Sequence, residues 1–279
     1  MDGNRIRKID RNGMISTIAG DGECGYNGDG QLAIHSQLNF PCGLFVTDDE
    51  VFIADCFNNR VRMIDRNGII TTIAGNEKDG GFNGDGKLAT IASLNGPTSV
   101  FKYKNEIYIA DRFHHRVRKI DRNGIITTIA GIENNICPDS VFVHNDEVYF
   151  TNFNLLYKIL PNGMIKTMSG IKDNRRFDEG DMLASQCKLR ELQGVCIDDG
   201  SQIYIAESDS HCIRKIDQNG MLRRVIGTGQ QGYSGDVPFD FSKYPHIGPQ
   251  KKVLIKPFPC ALYDLIIMCM ELDSLHKED

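Results

Sequence analysis

The sequence predicts an all-β fold, a β-propeller of four-stranded antiparallel blades, and three observations carry that prediction. The string IDRNGIITTIAG stands at 64–75 and again at 120–131, with related copies at 9–20, 159–170 and 216–227. The copies begin 55, 56, 39 and 57 residues apart, a spacing that suits a blade better than helical or leucine-rich units. Each unit also holds brief runs of Ile, Val and Phe, several of them apolar on both sides, which calls for sheets covered on both faces.

In the unit from Cys24 to Gly75, a first strand runs from Gly43 to Thr47, and Asp48-Asp49-Glu50 turns the chain. Val51 to Ala54 is the second strand, Arg60 to Ile64 the third and Ile69 to Ala74 the fourth. Asn67-Gly68 joins the last two, and Asn123-Gly124 does the same one unit on. Both residue types tolerate positive φ, so a type I′ hairpin is expected. The 39-residue step implies a unit that has lost a loop.

Four continuous units end near Gly75, Gly131, Gly170 and Gly227. A fifth is expected to be shared between the termini. Residues 1–20 give it a third strand, since Asn4 to Ile9 match Asn59 to Ile64, and residues 237–279 give it others from 251–255 and 262–269. The expectation is therefore a single domain over 1–279 with five blades, or six if the chain is a fragment.

A net charge of −5 gives no overall basic footprint for nucleic acid. Nine cysteines without CxxC spacing read as thiols of a reducing, cytoplasmic setting. No apolar leader follows Met1, and the apolar run at 262–270 falls short of the ~20 residues a membrane helix needs, so no membrane is expected as a partner.

The segments Pro41-x-Gly43-Leu44-x-Val46, Val51-Phe52-Ile53-Ala54-Asp55, Asn59-Arg60-Val61-Arg62 and Asp65-x-Asn67-Gly68 together resemble the NHL repeat, a propeller family. With Gly28-Asp29-Gly30 and Leu38-Asn39-x-Pro41 ahead of them, they look especially like teneurin-type NHL repeats, over roughly residues 2–236. The resemblance implies a propeller. It also implies a binding scaffold in most cases, with an amidating lyase, a kinase sensor domain and RNA- or protein-binding regulators among the relatives.

Asp55 and Arg60, and likewise Asp111 and Arg116, flank the turn between second and third strands and read as structural ion pairs clamping it. Asp65 and Asp121 precede the Asn-Gly turns and are expected to accept backbone N–H bonds. The loops 25–30 and 81–86 lack the alternating carboxylates of a calcium loop and the glycine spacing of a phosphate cradle. In them Tyr26 or Phe82 is expected to fill a groove between blades, and Asp29 or Asp85 to cap a short helical turn.

Residues that the scaffold does not demand are the better functional candidates. Phe57-Asn58-Asn59, Phe113-His114-His115 and Ser210-His211 occupy the same turn in different units and form a candidate rim for a protein or peptide. The plainer reading is that His115 and His211 stand in for Asn59 in a polar turn. No residue set reads as catalytic, cofactor-binding or metal-ligating. The expected function is a non-enzymatic scaffold, and the alternative is a metal-dependent lyase or lactonase-like propeller. A ring of His, Asp or Glu around the central channel would favour the enzyme, and Thr, Ser and aliphatic residues there would favour binding.

Overall fold

A computed structural model describes residues 3–10, 12–76, 81–131, 136–171, 180–227, 229, 253–255 and 266–268. The chain opens with β1 (Ile6–Ile9) and β2 (Ile15–Ala19), an antiparallel pair. Blade 1 follows as β3 (Gln31–Leu32), β4 (Pro41–Val46), β5 (Val51–Asp55), β6 (Arg60–Ile64) and β7 (Ile69–Ala74). Blade 2 is β8 (Lys87–Leu88), β9 (Pro97–Tyr103), β10 (Glu106–Asp111), β11 (Arg116–Ile120) and β12 (Ile125–Gly131). The short unit is blade 3, β13 (Ser140–His144), β14 (Glu147–Asn152), β15 (Leu155–Ile159) and β16 (Ile165–Ser169). Blade 4 is β17 (Met182–Leu183), β18 (Leu192–Ile197), β19 (Ile203–Glu207), β20 (Cys212–Ile216) and β21 (Met221–Ile226), and β22 (Val253–Ile255) and β23 (Ile266–Met268) come last.

The core lies between sheets. Phe52, Ala54 and Val61 of blade 1 pack with Val100, Ile109 and Ile126 of blade 2. Phe101 and Tyr108 continue into Val141 and Phe150 of blade 3, and Leu156 of blade 3 into Val195 and Ile205 of blade 4. Ile6 and Ala19 close on Ile53 and Ile70 in the same way. Burial on both faces is what the two-sided apolar runs require.

The blade count differs from the expectation. The fold is an all-β propeller with four blades of four or five strands, not five blades of four. The extra strand was hidden in the segment leading into each long unit: two residues, such as Gln31 and Leu32, lie antiparallel to Ile70 and Ile69 of the fourth strand. Blade 3 lacks that segment and keeps four strands. Among the described residues the two termini, expected to share a blade, form two ladders, β1 with β2 and β22 with β23, with no strand pairing between them. Matching strand patterns at two termini cannot specify the hydrogen bonds between them. The other residues assigned to that blade from 237–279 lie outside those described.

The Asn-Gly hairpin differs too. Gly68 has φ of 79° and Gly124 of 77°, but neither Asn67 nor Asn123 adopts positive φ. Gly68 N–H bonds the Asp65 carbonyl at 2.9 Å and Asp65 N–H bonds that of Ile69 at 3.0 Å, a type I turn followed by a left-handed glycine. Asp65 Oδ1 accepts the N–H groups of Asn67 and Ile69, each at 2.9 Å, which favours this form and bears out the expected role of the aspartate.

Candidate functional site

The rim turns join the second strand of a blade to its third. In blades 1 and 2 each is a single 3-10 turn, Cys56–Asn58 and Arg112–His114, followed by Asn59 or His115 in the left-handed region at φ of 52° and 59°. Blade 3 shortens the turn, with Phe153 at φ of 51°. His211 takes φ of 47° in blade 4.

Behind each turn lies a buried acceptor, and it works differently from the expected clamp. Asp55 accepts the N–H of Asn39 at 2.7 Å and Asn58 Nδ2 at 2.8 Å. Its ion pair is with Arg62, at 3.5 Å, both side chains being buried. Burial outweighs these partners and pushes the Asp55 carboxyl up to about 6. Asp111 repeats the scheme with the N–H of Asn95 at 2.7 Å, His114 Nδ1 at 3.0 Å and Arg118 at 3.3 Å. In blade 4, Glu207 takes the N–H of Arg190 and lies 3.6 Å from Arg214. Asn152 in blade 3 accepts the N–H of Cys137 at 3.0 Å, so an uncharged acceptor suffices there.

Arg60 instead donates to the Asn58 carbonyl at 2.9 Å and lies 3.8 Å over the Tyr26 ring; Arg116 does the same with His114 and Phe82. Asp29 is no helix cap, because the 3-10 turn at Ala33–His35 has no side-chain cap bond and Asp29 Oδ1 takes Arg62 at 2.9 Å. Asp85 holds Arg118 at the same distance.

The candidate rim therefore divides. Asn58, His114 and Ser210 are inward-facing turn residues, the last two buried. Asn59 Oδ1 receives the N–H of Gly96 in the next blade at 2.8 Å, and His115 Nδ1 meets Cys137 Sγ, also one blade on, at 3.2 Å. These two are clasps between blades. Phe57 and Phe113 remain outward, 58% and 50% exposed. Phe153, which the sequence reading passed over, is 47% exposed at the corresponding turn. Phe57 is backed by Phe40, their rings stacked 4.9 Å apart. His211 is exposed without an aromatic neighbour in its turn.

Inside the rim, the first strands of the four blades surround a cavity of about 120 Å³. Its lining is mainly apolar, Leu44, Val141 and Ile205 among it, with Thr98, Ser140 and Gln193 as polar groups. A Cβ on Gly43 would fall 2.5 Å from the Thr98 carbonyl oxygen, so glycine is what lets β4 and β9 approach there. At the mouth, Asp139 is buried and paired with Arg112 at 2.5 Å, and its Oδ2 takes the N–H of Phe153 at 3.1 Å. Burial pushes this carboxyl up to about 6 against the lowering effect of Arg112. Among the described residues, no group of three or more His, Cys, Asp or Glu side chains is placed to hold a metal ion. Asp139 is the one carboxylate in the described lining of this channel, which gives no three-ligand set for the metal that the enzyme resemblance implies. No helix among the described residues is long and apolar enough to cross a membrane.

No family model matches the chain. It is 38% identical over 104 residues to NHL repeat-containing protein 2 of Gallus gallus, covering 35% of this chain and 13% of that protein. To Teneurin-3 of Danio rerio it is 30% identical over 146 residues, 47% of this chain and 5% of the relative. The chain thus spans a small part of these relatives. Among solved structures, an auxiliary nutrient binding protein of Bacteroides thetaiotaomicron aligns over 84% of this chain and 55% of its own, at 15% identity and TM-score 0.58. A virginiamycin B lyase of Staphylococcus aureus aligns over 80% and 63%, at 18% identity and TM-score 0.50. The chain has a β-propeller fold related to that of NHL-repeat and virginiamycin-lyase-like proteins.

Proposed function

We propose that this chain is a single-domain binding propeller of the NHL kind, closest in repeat pattern to the teneurin type, that takes a protein or peptide segment across the rim bearing Phe57, Phe113 and Phe153. The observation that carries the reading is the exposure of three phenylalanines at equivalent turns of successive blades, each turn fixed by buried hydrogen bonds. Rigid aromatic rings give up little conformational freedom on contact and often anchor interfaces. A channel lined mainly by apolar side chains, with Thr, Ser and Gln among them, supports binding over chemistry. A reducing, cytoplasmic setting belongs to the proposal and rests on the scattered thiols.

A second reading, a propeller enzyme, draws more from the solved neighbours than rim binding does, since a virginiamycin B lyase is among them. Its support in this chain is the pairing of half-buried Arg112 with buried Asp139 at the channel mouth, with a carboxyl shifted toward neutrality.

A displayed random-peptide library panned on the wild-type protein separates the two. Peptides that bind wild type but not a folded Phe57→Ala, Phe113→Ala double variant support the rim. Peptides indifferent to that variant but lost on Arg112→Ala would move the site to the channel mouth, and no enrichment would remove the binding reading.

A further inference from the structure

The channel cavity is not used by the rim reading, because none of Phe57, Phe113 and Phe153 lines it. Three blades bring the same place of their first strand to it: Thr98 and Gln193, bulged where the ladders of β9 and β18 shift, and Asp139, just ahead of β13. One of the three is charged. Asp139 is 6% exposed, and its Oδ1 lies against Arg112 without the direction of a hydrogen bond, so a buried acceptor stands open to a donor. Gln193 Nε2 donates to Glu191 Oε2 at 3.3 Å, which brings a second carboxylate beside the mouth. Its charge bears on Asp139, and among the described residues no Lys, Arg or His forms an ion pair with it. Two carboxylates thus face one guanidinium, and one negative charge lacks a counterion.

We propose that this cavity binds a short primary amine as its ammonium ion, with the cationic head at Asp139 and Glu191 and the alkyl tail against the apolar lining. Size, charge and hydrogen bonding each favour that class. A dry cavity of about 150 Å³ holds benzene, so one of about 120 Å³ suits roughly five non-hydrogen atoms, the size of butylamine. An ammonium has three donors and no acceptor, which matches an open carboxylate oxygen, and Ser140 and Gln193 in the lining offer further acceptors. A carboxylate ligand would meet two like charges, and a hydrocarbon would leave Asp139 Oδ1 without its hydrogen bond. Burial without full compensation also keeps the Asp139 carboxyl at about 6, and a cation beside it would bring it down.

The test titrates the full chain at neutral pH with butylammonium and with 1-butanol, its neutral counterpart of equal length, and follows the ligand signals by saturation-transfer NMR. Wild type is expected to bind butylammonium saturably and to prefer it over 1-butanol by about tenfold or more, the value of a hydrogen bond to a charged group. Glu191→Gln, a change at a half-buried residue, is expected to cut that preference severalfold, and Asp139→Asn to abolish it. The proposal fails if wild type binds neither compound or binds both alike. It also fails if folded Glu191→Gln keeps the full preference, a result that stands whether or not Asp139→Asn folds. Either failure leaves the rim reading intact, because that reading is tested on peptides and on Phe57 and Phe113.

Discussion

Replacing Arg62 by methionine tests the buried polar layer on which each rim turn stands. The guanidinium is fully buried, donates to the Gly28 carbonyl at 2.8 Å and to Asp29 at 2.9 Å, and lies 3.5 Å from Asp55. Removing one partner of a buried pair costs about 3–5 kcal/mol, because the other charge stays behind uncompensated. The pH dependence is more telling. The Asp55 carboxyl stands at about 6 against an ordinary 3.8. Its folded value is raised, so its contribution to stability is whole below the ordinary value and is lost as pH rises through about 6. Arg62 is among the groups holding that value down, so Arg62→Met sends it higher and extends the loss upward in pH. Each further unit adds about 1.4 kcal/mol. Urea unfolding near pH 5 and near pH 8 should give a penalty larger at the higher pH by about 1–2 kcal/mol. Adding Asp55→Asn should abolish the difference. A penalty below about 1 kcal/mol, or one equal at both pH values, would refute the reasoning.

Three further outcomes are expected. Gly75→Ala should lower stability by about 2–4 kcal/mol in the same assay, because φ is 89° and a Cβ would sit 2.1 Å from the Asn59 carbonyl oxygen. Leu160→Asp should raise stability by about 0.5–1 kcal/mol: Leu160 holds the place of Asp65 in blade 3, and a carboxylate there could accept the N–H groups of Asn162 and Met164. Phe113→Ala should change the midpoint of thermal unfolding little, since the ring is half exposed, so that any binding loss reads as contact rather than unfolding.

The repeat made the strands and their antiparallel order legible, because two-sided apolar runs such as Val51 to Ala54 have one economical burial. It did not reveal the two-residue strand Gln31–Leu32, which carries too little pattern to register as a period. Asp55 was recognisable as structural, but its ion-pair partner was not. Arg60 faces Asp55 across the ladder while Arg62, two residues on, reaches back to it, and only side-chain direction tells them apart. Variation between units singled out the turns that join the second strand of a blade to its third. Which of their residues point outward was not readable, because Asn59 and His115 are chosen for left-handed backbone and a contact in the next blade. Phe153 escaped because the short unit misaligns its turn with the others, and Arg112 and Asp139 because a contact between blades leaves no trace in the spacing of either.

The most direct test of the central claim is amide hydrogen exchange of the protein with and without a peptide taken from the displayed library. The account predicts added protection at the turns 56–59, 112–115 and 153–154, with the channel strands 97–101 and 140–142 unchanged. Protection confined to those channel strands, or at none of the three turns, would contradict it.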